Sequence, residues 1–112
     1  MLTPEVLRLY VDHGLAETPE GTVRLKCDPE SEARTFEANM SHDTWARLGE
    51  VQCPVLVMAE PFRDRAPAMM AENAARRLPR GEYLVFPDLD HFGPFEDPSA
   101  VATAVSEYFA RA

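Results

Sequence analysis

Apolar positions along this chain follow two different patterns, and the change falls near residue 53. In the first part Val6, Leu7, Tyr10 and Val11 recur at helical spacing. They stand behind Thr3-Pro4-Glu5, which supplies an N-cap, a proline at the first helical position and an acid in the first turn. The spacing predicts a helix from about Pro4 to His13 that Gly14 ends. After the polar stretch Glu17 to Gly21, the alternation Val23, Leu25, Cys27 predicts a short extended segment with one apolar side. Pro29 opens a second, acid-started helix with Ala33 and Phe36, reaching toward Met40. Ser41 is the expected cap of a third, short helix containing Trp45 and Leu48, with Asp43 near its positive end.

From Cys53 onward Pro54-Val55-Leu56-Val57-Met58-Ala59 is a continuous apolar run bounded by proline and charge, the pattern of a strand covered on both faces. Residues Ala66 to Leu78 have good helix-forming density, with Met69 and Met70 as expected core filler, and Pro79-Arg80-Gly81 stops them. Tyr83-Leu84-Val85-Phe86-Pro87 predicts a second buried strand. Asp97-Pro98 then caps a closing helix on which Val101, Val105, Tyr108 and Phe109 share one face. Strand, helix, strand, helix with short connections predicts a parallel βαβ unit with a right-handed crossover. Its two strands are neighbours, so the loops at their carboxyl ends, Glu60 to Arg65 and Asp88 to Glu96, lie side by side. A two-stranded sheet leaves exposed edges, and something must cover them.

Composition narrows the picture without redirecting it. The 112 residues suit one domain's worth of core; 46% apolar and 27% charged residues match a soluble globular chain, and no apolar run approaches the ~20 residues that span a bilayer. The first residues lack the basic and apolar regions of a secretory signal, which by default implies a cytoplasmic address. A net charge of -8, with basic residues dispersed among acids, argues against a nucleic-acid partner. Cys27 and Cys53 have neither Cys-x-x-Cys spacing nor a paired histidine pattern, so no metal and no cofactor is expected, and both are read as reduced, half-buried thiols. His13 and His42 read as solvated residues near helix ends, and Trp45 as an anchor for its helix.

The two loops that the topology brings together each carry a group suited to acid-base work, Asp64 in the first and His91 in the second. A histidine becomes a general base near neutral pH when a carboxylate accepts a hydrogen bond from one ring nitrogen, which fixes the tautomer and stabilises the imidazolium. The stretch from Pro54 onward resembles the last two strands of the α/β-hydrolase fold. The resemblance rests on Pro54-Val55-Leu56-Val57, on Asp64 in the following loop, on the helix and second strand, and on His91-Phe92-Gly93-Pro94-Phe95-Glu96-Asp97-Pro98. The N-terminal part, with Tyr10-Val11-Asp12-His13-Gly14 and Val23-Arg24-Leu25-Lys26-Cys27, resembles the end of the helical cap in such proteins. The resemblance implies a partial α/β-hydrolase-like α/β fold: a cap-like helical segment over 1–45 and a short parallel βαβ unit flanked by helices over 46–112. It implies His91 as base and Asp64 as its orienter.

Three departures from the family's pattern bear on function. Ala59-Glu60-Pro61 stands where the family's acid loop begins with glycine, and this leaves Glu60 as an alternative acid. Asp90 precedes the histidine where glycine is usual, placing a second carboxylate near the imidazole. No serine lies on a Gly-x-Ser-x-Gly elbow: Ser31, Ser41, Ser99 and Ser106 read as caps or helix-surface residues, and Cys53 sits at the wrong end of its strand. The expected function is therefore the C-terminal segment of an enzyme hydrolysing an ester, lactone or similar small acyl substrate, inactive alone because the nucleophile must come from a missing N-terminal half. The alternative is a non-catalytic, hydrolase-derived module that buries its open strand edge in a homodimer.

Overall fold

The computed structural model describes residues 2–39, 41–61 and 70–111. The chain divides into two compact units, Met1–His42 and Asp43–Ala112.

In the first unit, helix α1 spans Pro4–Gly14, and the Thr3 hydroxyl accepts the Val6 amide at 3.3 Å, as the Thr-Pro-Glu start predicts. Beyond it the sequence reading is incomplete, because a strand precedes the polar stretch as well as following it. Strand β1 (Leu15–Glu17) pairs antiparallel with β2 (Val23–Leu25), Leu15 opposite Leu25 and Glu17 opposite Val23. The connection is set by Thr18-Pro19-Glu20-Gly21. The Gly21 amide donates to the Thr18 carbonyl at 3.0 Å, the Thr18 amide to the Thr22 carbonyl at 2.8 Å, and Gly21 takes φ +76°, the left-handed conformation that closes such hairpins and that glycine adopts without penalty. Val23 and Leu25 are exposed on this ribbon rather than forming a covered apolar side.

Helix α2 (Pro29–Ala38) is capped by Asp28, whose Oδ2 accepts from the Ser31 hydroxyl at 2.9 Å and the Ser31 amide at 3.0 Å. Those two bonds, the hydroxyl's first, hold the Asp28 carboxyl below its ordinary range. The helix stops at Ala38, and Met40 lies outside the described residues. None of the unit's described residues is buried.

The second unit opens with α3 (Thr44–Arg47), followed by a 3₁₀ turn over Leu48–Glu50. Ser41 is not its cap. The Ser41 hydroxyl donates backward to the Ala38 carbonyl at 3.0 Å, and Asp43 occupies the cap position without a side-chain hydrogen bond. Strands β3 (Val55–Ala59) and β4 (Gly81–Val85) pair in parallel, in register from Val55 opposite Gly81 to Ala59 opposite Val85. The ladder continues at both ends, through the Val55 amide to the Arg80 carbonyl and the Phe86 amide to the Ala59 carbonyl, each 3.0 Å. The strands are not buried on both faces: β3 is half-buried throughout, and Leu84 and Val85 of β4 are partly exposed. Among the described residues the sheet has these two strands only, so each strand has one edge without a strand partner there.

Helix α4 (Ala71–Arg77) is the described part of the connecting helix. Its Arg77 guanidinium lies over the Trp45 ring, 5.0 Å from the centroid, an attraction that ties α4 to α3. Met70 is exposed and is not core filler, while Met69 lies outside the described residues. The turn into β4 is tight because Gly81 has no side chain: a Cβ there would fall on the Ala75 carbonyl oxygen and 2.8 Å from the Leu78 Cβ. After β4 come a one-turn helix, α5 (Gly93–Glu96), and the closing helix α6 (Pro98–Arg111), whose Asp97 cap accepts the Ala100 amide at 2.9 Å. Among the described residues the buried hydrophobic side chains are Ala75, Leu78 and Tyr108. Phe109, expected on the same face as Tyr108, is 73% exposed, since one residue along a helix turns the side chain by about 100°.

Candidate active site

The parallel register brings the carboxyl ends of β3 and β4 to one rim. The residue after β3 is Glu60, and its placement is firm because the preceding carbonyl, that of Ala59, is held in the ladder by Phe86. Beyond β4 the chain turns at Phe86, where the Leu89 amide reaches the Phe86 carbonyl at 3.3 Å, and turns again where the Gly93 amide donates to the Asp90 carbonyl at 2.8 Å. His91 stands within the second of these turns. The pattern predicts a loop over 88–96; in the structure its second half is α5, started by Gly93-Pro94.

Two contacts shape the histidine's surroundings. The Glu96 carboxylate accepts the Asp90 amide at 2.8 Å, bracing the residue next to His91 with a charge-assisted bond. The Phe92 ring meets the imidazole edge to face, 5.5 Å between centroids. Gly93 is buried against Leu89, with room for a Cβ only if the leucine side chain, 3.3 Å away, gives way. Nothing in the sequence singles out Glu96 for its contact with the Asp90 amide beyond its place five residues after the histidine.

An open cavity of about 310 Å³ lies at this rim, lined among others by Met58, Glu60, Phe86, Leu89, His91 and Pro94. Carboxylate and imidazole meet at its edge, with Glu60 Oε1 3.7 Å from His91 Nδ1. Their environments are unequal, the Glu60 side chain being 11% exposed and that of His91 61%. Glu60 Oε1 is enclosed and has no hydrogen-bond partner among the described residues. Asp64, the acid favoured by the sequence, lies outside the described residues. What this arrangement can do is move a proton: one ring nitrogen faces a carboxylate, and the other is left to accept from a donor.

Cys53 and Cys27 are free and exposed, not half-buried. Among the described residues no group of three or more His, Cys, Asp or Glu side chains is arranged to hold a metal ion, and no helix is long and apolar enough to cross a membrane.

A half-covered parallel β3–α4–β4 unit, with a carboxylate after its first strand and a histidine after its second, is a partial α/β-hydrolase-like fold. The chain is 31% identical over 96 residues, 86% of its length, to the protein named "Putative non-heme bromoperoxidase BpoC" in two strains of Mycobacterium tuberculosis, CDC 1551 / Oshkosh and ATCC 25618 / H37Rv. That protein is of the α/β-hydrolase family, and this chain is its distant relative. The match covers 32% of the mycobacterial protein, so the chain spans about a third of the length of the curated relatives it matches. No family model and no solved structure matches it.

Proposed function

We propose that this chain supplies the histidine and acid of an α/β-hydrolase-type acyl hydrolase, acting on an ester, lactone or similar small acyl substrate, with a nucleophile from a segment outside its 112 residues. The observation that carries the reading is the approach of His91 Nδ1 to an enclosed carboxylate oxygen, 3.7 Å away, at the mouth of a cavity. His91 acts as general base: with Nδ1 turned to a carboxylate, Nε2 takes the proton of an attacking hydroxyl and later returns it to the leaving group. The acid comes from the segment after β3, which offers both Glu60 and Asp64. The name borne by the mycobacterial relative attaches a halogenating oxidation to that protein; the groups at this site are proton-transfer groups and favour acyl chemistry.

The test has two arms. The 112-residue chain alone is expected to hydrolyse nitrophenyl acetate no faster than its His91→Ala variant. A chimera in which the chain replaces the matching third of the mycobacterial relative is expected to hydrolyse the ester, with the rate falling by about 10³-fold or more in His91→Ala. Hydrolysis by the isolated chain that His91→Ala abolishes would show that the nucleophile is internal; a folded chimera whose rate ignores His91→Ala would end the hydrolase reading.

A further inference from the structure

Sequence offers the histidine two acids in the segment after β3, and one of them, Glu60, lies beside it, its Oε1 3.7 Å from His91 Nδ1. We infer that Glu60, rather than Asp64, is the positioning residue that fixes the His91 tautomer. The inference takes its catalytic meaning from the hydrolase reading above, although what it predicts is a property of the imidazole alone.

Three observations converge on Glu60. It is the first residue beyond the parallel ladder, directly after the Ala59 carbonyl that binds the Phe86 amide at 3.0 Å, so its backbone is fixed to the strand that delivers His91. Its side chain is 11% exposed, and its Oε1 is enclosed without a hydrogen-bond partner among the described residues. A carboxylate oxygen withdrawn from water is costly to leave without a donor. Lastly, the group facing that oxygen is His91 Nδ1 at 3.7 Å, a few tenths of an ångström beyond a hydrogen bond and within what a small side-chain rotation closes. Sites that tighten around substrate commonly show such long contacts when empty.

The consequence is a choice of tautomer. Free histidine in its neutral form carries its proton mainly on Nε2, which would leave Nδ1 with a lone pair directed at a carboxylate. Donation from Nδ1 to Glu60 Oε1 removes that conflict and leaves Nε2 unprotonated, on a side chain that is 61% exposed and open to a donor from another segment. An imidazole has one Nδ1 proton, so if Glu60 takes it, Asp64 has no part in setting the tautomer.

Side-chain ¹⁵N NMR on the intact chain reads the tautomer directly, at a pH where His91 is neutral. Wild type is expected to show Nδ1–H as the major form. Glu60→Met, which removes the acceptor at nearly constant volume, is expected to return the majority to Nε2–H. Glu60→Gln keeps an uncharged acceptor oxygen in the same place and is expected to retain Nδ1–H, as is Asp64→Ala. An Nε2–H majority in wild type, or a majority that changes with Asp64→Ala and not with Glu60→Met, would overturn the assignment. Failure of the two readings separates cleanly. A Glu60-dependent tautomer in a chimera without esterase activity removes the hydrolase reading and leaves Glu60's role standing. Esterase activity that requires His91 and Asp64 but tolerates Glu60→Met removes this inference alone.

Discussion

Gly81 shows how much a missing side chain can decide. A methyl group there would meet the Ala75 carbonyl, which cannot swing aside without opening the last turn of α4. Gly81→Ala is therefore expected to lower stability by about 1–3 kcal/mol, the usual penalty of forcing a carbon into filled space, read as a lower urea midpoint with an unchanged slope. Asp28 carries a different dependence, on pH. Its carboxyl is held below the ordinary aspartate value in the folded chain by the Ser31 hydroxyl and amide. The stabilisation from its charge is thus complete above the unfolded value and disappears as pH falls through the lower, folded one. The Ser31 amide resonance should follow that titration in wild type and stay constant in Asp28→Asn, which caps without titrating. His91 was legible from its motif, between a strand end and a Pro-capped helix. The enclosure of Glu60 and the lack of a donor to its Oε1 among the described residues were not, because these are properties of a packed site, and the sequence shows only an acid where glycine is usual.

At the scale of elements, the strands and helices announced by long or strongly punctuated patterns were readable, and the short ones were not. The continuous apolar run at 54–59 and the Asp97-Pro98 cap predict β3 and α6 directly, and the parallel pairing follows from the helix between β3 and β4. Leu15–Glu17 is too short to show an alternation, so β1 emerges only through its hairpin with β2. Ser41 had an available carbonyl behind it and bonded there instead of capping forward. Within α6 the register resolves which aromatic is anchor: Tyr108 is 3% exposed, its ring beneath the Arg111 guanidinium at 5.4 Å, and Arg111 also pairs with Glu82 of β4 at 2.8 Å. The Tyr108 hydroxyl is enclosed without a partner among the described residues. Tyr108→Phe should therefore be neutral or stabilising by up to about 1 kcal/mol, whereas Tyr108→Ala should cost about 3–5 kcal/mol, a contrast that thermal or urea unfolding would check.

For the whole molecule, a two-stranded sheet whose outer edges have no strand partner among the described residues carries a consequence for handling. Main-chain groups along an uncovered strand recruit any extended neighbour, and the defence visible in this chain is electrostatic: copies bearing a charge of -8 repel one another. Raising sodium chloride from ~10 mM to ~1 M shrinks the reach of that repulsion from about 30 Å to about 3 Å. Light scattering at fixed protein concentration should accordingly climb with added salt and fall back on dilution into low ionic strength, while a lysine placed mid-strand on β3, as in Val57→Lys, should blunt the climb. Colloidal behaviour, ordinarily a nuisance of purification, thereby becomes a gauge of how well those edges are shielded.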